Sequence, residues 1–130
     1  MNGNQIFNRT SIAIKYINET LPENRIAFID AFINEDCTIS FVSEIELQVW
    51  NPPNPDDIIV YKEFVLQSHI ISINPGIVSE TITIRKNYKL KIADAIIAAT
   101  ALTFDITLLA DNDNDFEKVP FLKYINPRKL

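Results

Sequence analysis

The stretch Lys91-Ile-Ala-Asp-Ala-Ile-Ile-Ala-Ala-Thr-Ala-Leu102, with Ile106-Thr-Leu-Leu-Ala-Asp-Asn-Asp-Asn-Asp-Phe116 close behind it, sets one acid inside an apolar helical pattern and several more at the end of an apolar strand. Read as a helix over 92–103, the first segment predicts a buried face of Ile92, Ile96, Ala99 and Thr103. That face carries no charge that needs Asp94 for solubility, so Asp94 is the anomaly. One account is that an acid in the first helical turn complements the macrodipole, which stabilises by a few tenths of a kcal/mol up to about 1 kcal/mol. The other is a carboxylate placed to hold a metal ion, with the acids after the strand completing the site.

At 130 residues and 47% hydrophobic content, the chain is long enough to bury a core of its own and is expected to form a single domain over residues 1–130. Its one cysteine, Cys37, stands in the apolar run Cys37-Thr-Ile-Ser-Phe-Val42. It has no internal disulfide partner and reads as a small buried hydrophobe, which suits a reducing compartment. No basic segment leads into a long apolar one at the N-terminus, and no run approaches the roughly 18 apolar residues of a membrane span. The expectation is a soluble, cytoplasmic protein with no membrane contact.

A net charge of −5 gives no broad basic field with which to gather phosphate backbones nonspecifically, so any contact with nucleic acid has to be local. The acidic excess falls in two places. Asn51-Pro-Pro-Asn-Pro-Asp-Asp57 reads as a solvated loop and helix start. In Asp111 to Glu117 a solvated loop competes with an inward-facing cluster, because a hydrophobic strand directly precedes it.

Short strands, apolar on both faces, are predicted at 5–8, 38–42, 70–73, 107–110 and 123–125. Helical patterns fall between them at 11–20, 24–34, 44–50, 56–68, 76–87 and 92–104. The alternation argues for an α/β domain of three layers, α/β/α, around a mainly parallel sheet of four or five strands. Neither of the two glycines belongs to a Gly-rich phosphate loop, which weighs against a nucleoside-triphosphate or dinucleotide binder. In open parallel sheets ligands gather outside the carboxyl ends of the strands, near the point where strand order reverses. Arg9 and Ser11 come after the first strand, Glu44 and Glu46 after the second, and Asp111, Asn112, Asp113 and Asp115 after the fourth. Asp94 opens the helix leading into that fourth strand, so all of these are expected to meet at one edge.

Here the chain resembles the PIN-domain family, specifically the VapC-like toxins of type II toxin-antitoxin pairs, over nearly its full length. Leu90-Lys-Ile-Ala-Asp-Ala-Ile-Ile-Ala-Ala-Thr-Ala101 is similar to that family's (L)P-D-A-x-I-A-A-T-A helix, with Ala93 where proline is commoner. Thr107-Leu-Leu-Ala-Asp-Asn-Asp-Asn-Asp-Phe116, Leu122-Lys-Tyr-Ile-Asn-Pro127 and Ile39-Ser-Phe-Val-Ser-Glu-Ile-Glu-Leu47 resemble three further segments in the family's order and spacing. The resemblance implies Mg²⁺- or Mn²⁺-dependent cleavage of RNA, a VapB-like antitoxin partner and a homodimer. It maps the family's acidic positions to Glu46, Asp94 and the 112–115 segment. Within that segment Asn112 and Asp115 match the motif, and Asp113 is a further candidate for the metal.

The residue types suit the chemistry. Mg²⁺ prefers oxygen ligands, keeps several waters and is usually held by one or two carboxylates together with substrate phosphates. Glu46 and Asp94 are the expected metal contacts. Each also has a bland account: Asp94 as the helix-end acid above, and Ser43-Glu-Ile-Glu46 as a capping box, with Ser43 capping the helix and Glu46 returning a bond. Glu44 is expected to face solvent. At least one of Asp111, Asp113 and Asp115 should be a cap or exposed surface, since packed negative groups repel without a cation.

One position departs from the family. The family's first strand ends in L-D-(T/S)-(N/S), whose aspartate is a principal metal ligand, whereas this chain has Asn8-Arg-Thr-Ser11 and so Arg9 in the aspartate's place. A guanidinium offers donors only and cannot ligate Mg²⁺. The exchange moves the local charge by two units toward positive and should weaken binding of a divalent cation. Alternatively Arg9 forms a bidentate pair with Asp94 or Glu46, standing in for the metal; or it faces solvent and the site is one ligand short.

The remaining conspicuous residues favour ordinary roles. His69 reads as a C-terminal helix residue, and Trp50 and Phe64 as core or dimer contacts. Arg85, Lys86, Lys89 and Lys91 form the only dense basic cluster, by default solvated charge. Two further functions compete with the nuclease. One is a non-catalytic module that keeps the fold and binds an antitoxin or related subunit, Arg9 mimicking the arginine with which an antitoxin fills such a pocket. The other is a receiver-like phosphoacceptor domain, which would need an acid pair after the first strand that this chain lacks.

Overall fold

The computed structural model describes residues 6–8, 37–111 and 113–129, with backbone alone for 6–8, 113 and 128. Five short strands, β1 (Ile6–Asn8), β2 (Thr38–Ser40), β3 (His69–Ile71), β4 (Thr107–Leu109) and β5 (Tyr124–Ile125), form one sheet in the order β3-β2-β1-β4-β5. Every pair is parallel. Phe7 lies between Thr38 and Leu108 in register, which puts β1 at the centre. Buried central strands explain the apolar run on both faces: Ile39 and Leu108 are fully buried. The helices among the described residues are α1 (Phe41–Val49), α2 (Ile58–Gln67), α3 (Pro75–Asn87), α4 (Ile92–Phe104) and α5 (Asp113–Phe116). The helices expected at 11–20 and 24–34 lie outside the described residues.

The helix starts are set by side chains that accept backbone N–H groups. Asn74 Oδ1 accepts from the Ile77 amide at 2.9 Å, with Pro75 in the first turn where its missing N–H costs nothing. Asn54 does the same for Asp56 at 3.1 Å and opens a single 3-10 turn at Pro55–Asp57 ahead of α2. At α1 the expected capping box is corrected. Ser40 is the cap, accepting from the Ser43 amide at 3.1 Å, and the helix begins at Phe41, three residues before the expected start at 44. Ser43 and Glu46 therefore sit inside the helix. The apolar pair Phe41-Val42 reads as a strand continuing from β2, but the Ser40 hydroxyl ends the strand first.

The core gathers Ile77 and Ile84 of α3, Ala95, Ile97, Ala98, Ala99 and Ala101 of α4, Leu108 of β4, and Phe116 and Val119 beyond it. The predicted buried face of α4 holds at Ala99, which is fully buried, and at Ile96, which packs on the core, and is corrected at its ends: Ile92 is 61% exposed and Thr103 is exposed, whereas Ala95, Ile97, Ala98 and Ala101 are buried. The alanines decide this, because their small side chains let α3 approach closely along α4. A Cβ built on Gly76, at the start of α3, would lie 3.5 Å from Thr103 Cγ2 near the end of α4, so the two helices run antiparallel. Cys37 is buried, as expected. His69 is the first residue of β3 and exposed, not the end of the preceding helix. Phe64 is half-buried and Trp50 half-exposed. Among the described residues no helix is long and apolar enough to cross a membrane.

Candidate functional site

The order β3-β2-β1-β4-β5 means the chain builds outward from β1 on one side, then returns to build on the other. The reversal lies between β1 and β4, and a crevice for ligands is expected outside their carboxyl ends. Arg9, the next residue after β1, lies outside the described residues. Asp111, just past β4, is half-buried.

α4 brings Asp94 to the same edge. The helix leads into β4 through Asp105 and Ile106, the Ile106 amide donating to the Ala101 carbonyl at 3.0 Å. Thirteen residues of helix extend about 20 Å, twice the roughly 10 Å of a three-residue strand. The start of α4 therefore stands beyond the carboxyl end of the sheet, with Asp94 at its third position. Asp94 is 5% exposed. A helix dipole contributes at most about 2 kcal/mol in such a setting, less than the several kcal/mol needed to strip water from a carboxylate. The dipole account is therefore insufficient by itself, and a donor or cation has to share the pocket.

The other predicted residues are placed less uniformly. Glu46 projects from α1, which packs against α4, and is exposed. Glu44, expected to face solvent, is half-buried, so the two glutamates reverse their expected exposure. The reason is the earlier helix start, which puts Ser43 and Leu47 on the inner line of α1 with the glutamates on either flank. Asp115, in α5, is 25% exposed and its Oδ1 lies 3.7 Å from Lys118 Nζ. Asn112 lies outside the described residues, and only the backbone of Asp113 is described. Glu46, Asp94, Asp111 and Asp115 all have interaction partners.

Among the described residues no three His, Cys, Asp or Glu side chains converge closely enough to hold a metal ion. The donor chemistry still suits Mg²⁺ or Mn²⁺, because one or two carboxylates suffice when water and substrate phosphate complete the shell. Sequence reasoning missed two features. The Ser43 hydroxyl is buried at the start of α1 with no hydrogen-bond partner, and Lys118 reaches both Asp115 and the carbonyl of Lys89. The second joins residues 29 apart, for which local pattern holds no signal.

The PIN domain family matches residues 10–122. The chain belongs to that family. Solved structures of toxin-antitoxin assemblies contain chains of the same fold as this PIN domain. A chain of DNA-bound VapBC from Salmonella typhimurium superposes with a TM-score of 0.79 at 19% identity, covering 95% of this chain and 98% of that one. FitAcB from Neisseria gonorrhoeae gives 0.77 at 24%, covering 97% and 100%. A toxin-antitoxin complex from Klebsiella pneumoniae gives 0.76 at 25%, covering 95% and 98%. Among curated proteins no sequence relative is detected. The VapC-like PIN resemblance drawn from sequence is thus met by both the family and the structural matches.

Proposed function

We propose that this PIN-domain chain, a single three-layer domain over residues 1–130, is a VapC-like toxin component built for metal-dependent cleavage of RNA, with a VapB-like antitoxin as partner and a homodimer as its assembly. The observation that carries the reading is the buried Asp94 carboxylate at the start of α4, in a sheet whose strand order reverses between β1 and β4, where a ligand crevice is expected. Asp94, with one further carboxylate from Glu46, Asp113 or Asp115, would hold Mg²⁺ or Mn²⁺, water and substrate phosphate completing the shell, and Asn112 is proposed as a substrate contact. When bound, that ion supplies a water of lowered pKa and positive charge against the transition state. The burial of Asp94 keeps bulk water from competing for its carboxylate, and a second carboxylate would orient the attacking water.

Arg9 weakens this site. Having a fixed cation where the family has its first acid moves the charge by two units, so the chain binds a divalent ion less well than its Arg9→Asp variant would. Cleavage of a mixed RNA pool, with Mg²⁺ and with EDTA, tests the proposal. Arg9→Asp should create Mg²⁺ binding visible by calorimetry and raise both RNase activity and growth inhibition. Asp94→Asn in that background should lower cleavage about a hundredfold or more. Lack of metal-dependent cleavage by both the wild type and Arg9→Asp would end the enzymatic reading.

A second reading, a non-catalytic module that binds an antitoxin or related subunit, has two supports. One is Arg9 itself. The other is the packed α1–α2 pair, which leaves Ile45, Val49, Ile59 and Leu66 between 56% and 82% exposed, an unusual amount of apolar side chain to leave in water. Recovery of no partner from native expression would count against it.

A further inference from the structure

We infer that the turn joining α3 to α4, with Lys118 beside it, is a phosphate-binding rim that seats single-stranded RNA at the Asp94 site; this rests on the nuclease reading above. Lys89 and Lys91 are exposed on either side of Leu90, which is 5% exposed and anchored in the core. The Leu90 amide donates to the Tyr88 carbonyl at 3.2 Å, a tight turn centred on Lys89 that leaves both lysines in solvent, two residues apart.

The backbone of this turn is held by cations. Arg85 Nη1 donates to the Leu90 carbonyl at 2.7 Å, and Lys118 Nζ donates to the Lys89 carbonyl at 3.4 Å. Lys118 also lies 3.7 Å from Asp115, so one ammonium joins the basic turn to the acidic segment after β4. Lys91 is the N-cap residue of α4, three positions before Asp94. A strand whose phosphodiester reaches Asp94 therefore passes the two lysines.

Charge favours RNA as the occupant. A chain of net charge −5 with a buried carboxylate, Asp94, at its proposed site repels a polyanion, and local cations are needed to offset that repulsion. An acidic peptide would use the same ammonium groups, but nothing in it requires the neighbouring carboxylates.

The test is fluorescence anisotropy of a labelled single-stranded RNA with the full chain in EDTA, which blocks cleavage, across a salt series. Lys89→Ala/Lys91→Ala should weaken binding about tenfold at low salt and reduce the log–log salt slope by about 1.4, two phosphates at about 0.7 each. Lys89→Arg/Lys91→Arg should keep the slope, and Lys62→Ala, on α2, should change neither quantity. Unchanged affinity and slope in the double alanine variant would overturn the rim while leaving the nuclease reading intact. No RNA binding by the wild type, Arg9→Asp cleaving no RNA either, would overturn both. Loss of binding to a polyglutamate peptide, with RNA binding retained, would reassign the rim to an acidic protein partner and overturn this inference.

Discussion

Ser43 holds a fully buried hydroxyl with no hydrogen-bond partner, and a buried polar group left unpaired costs about 1–3 kcal/mol. Ser43→Ala should therefore raise stability by about 1 kcal/mol, seen in urea unfolding as a higher midpoint at constant m-value. A lower midpoint would mean that the hydroxyl is bonded in solution. Phe121 offers a second test at this scale: its φ is 68°, in the left-handed region, and its side chain is 92% exposed. That backbone costs a non-glycine residue about 1–2 kcal/mol, whereas glycine adds back about 0.5–1 kcal/mol of chain entropy. Phe121→Gly should thus stabilise by about 0.5–1 kcal/mol in the same assay. Neither feature was legible in sequence, because both arise from how the chain is packed and turned. Asp94 was legible, since an acid in an apolar helix pattern is conspicuous without neighbours. The contrast between Glu44 and Glu46 was not, because it depends on the phase at which α1 starts.

At the scale of elements that phase is set by one oxygen. Ser40 Oγ takes the Ser43 amide, and removing such a cap costs about 1 kcal/mol. Ser40→Ala should lose about that much in thermal unfolding, opposite in sign to Ser43→Ala three residues on; a loss with Ser43→Ala and none with Ser40→Ala would mean that α1 starts where the capping-box pattern put it. The bounds of the 92–104 helix were legible because its apolar pattern is long and an acid marks its first turn. Its buried face was right at Ile96 and Ala99 and misread at its ends, Ile92 and Thr103; Ala95, Ala98 and Ala101 extend the face because close approach by α3 needs small side chains. The strands were legible as apolar runs: β2 stops two residues short because the Ser40 cap opens α1, β4 and β5 are each one residue shorter than expected, and β3 begins at His69, one residue before the expected start. Lys118 lies outside any such pattern. Its bond to the Lys89 carbonyl depends on the segment after α5 and the α3–α4 turn reaching the same edge of the sheet.

For the whole molecule, the proposed site depends on the charge balance at the crevice expected between β1 and β4, to which distant segments are proposed to contribute one group each. A ligand that binds only the folded state stabilises it by RT ln(1 + [L]/Kd), about 2.7 kcal/mol when it is at a hundred times Kd. In a domain of this size that corresponds to a rise in Tm of roughly 10 °C. Arg9→Asp should therefore show a Tm that climbs with Mg²⁺ or Mn²⁺ concentration and falls back on addition of EDTA, whereas wild type should respond less at every concentration. Adding Asp94→Asn to Arg9→Asp should abolish the climb, because the buried carboxylate is the group proposed to hold the ion. Differential scanning fluorimetry across a metal titration, at constant ionic strength to remove general screening, separates these outcomes. If wild type and Arg9→Asp respond equally, Arg9 lies outside the field of the pocket and the charge argument for a weakened site fails. If all three proteins respond equally, the ion binds elsewhere and Asp94 loses its assigned role.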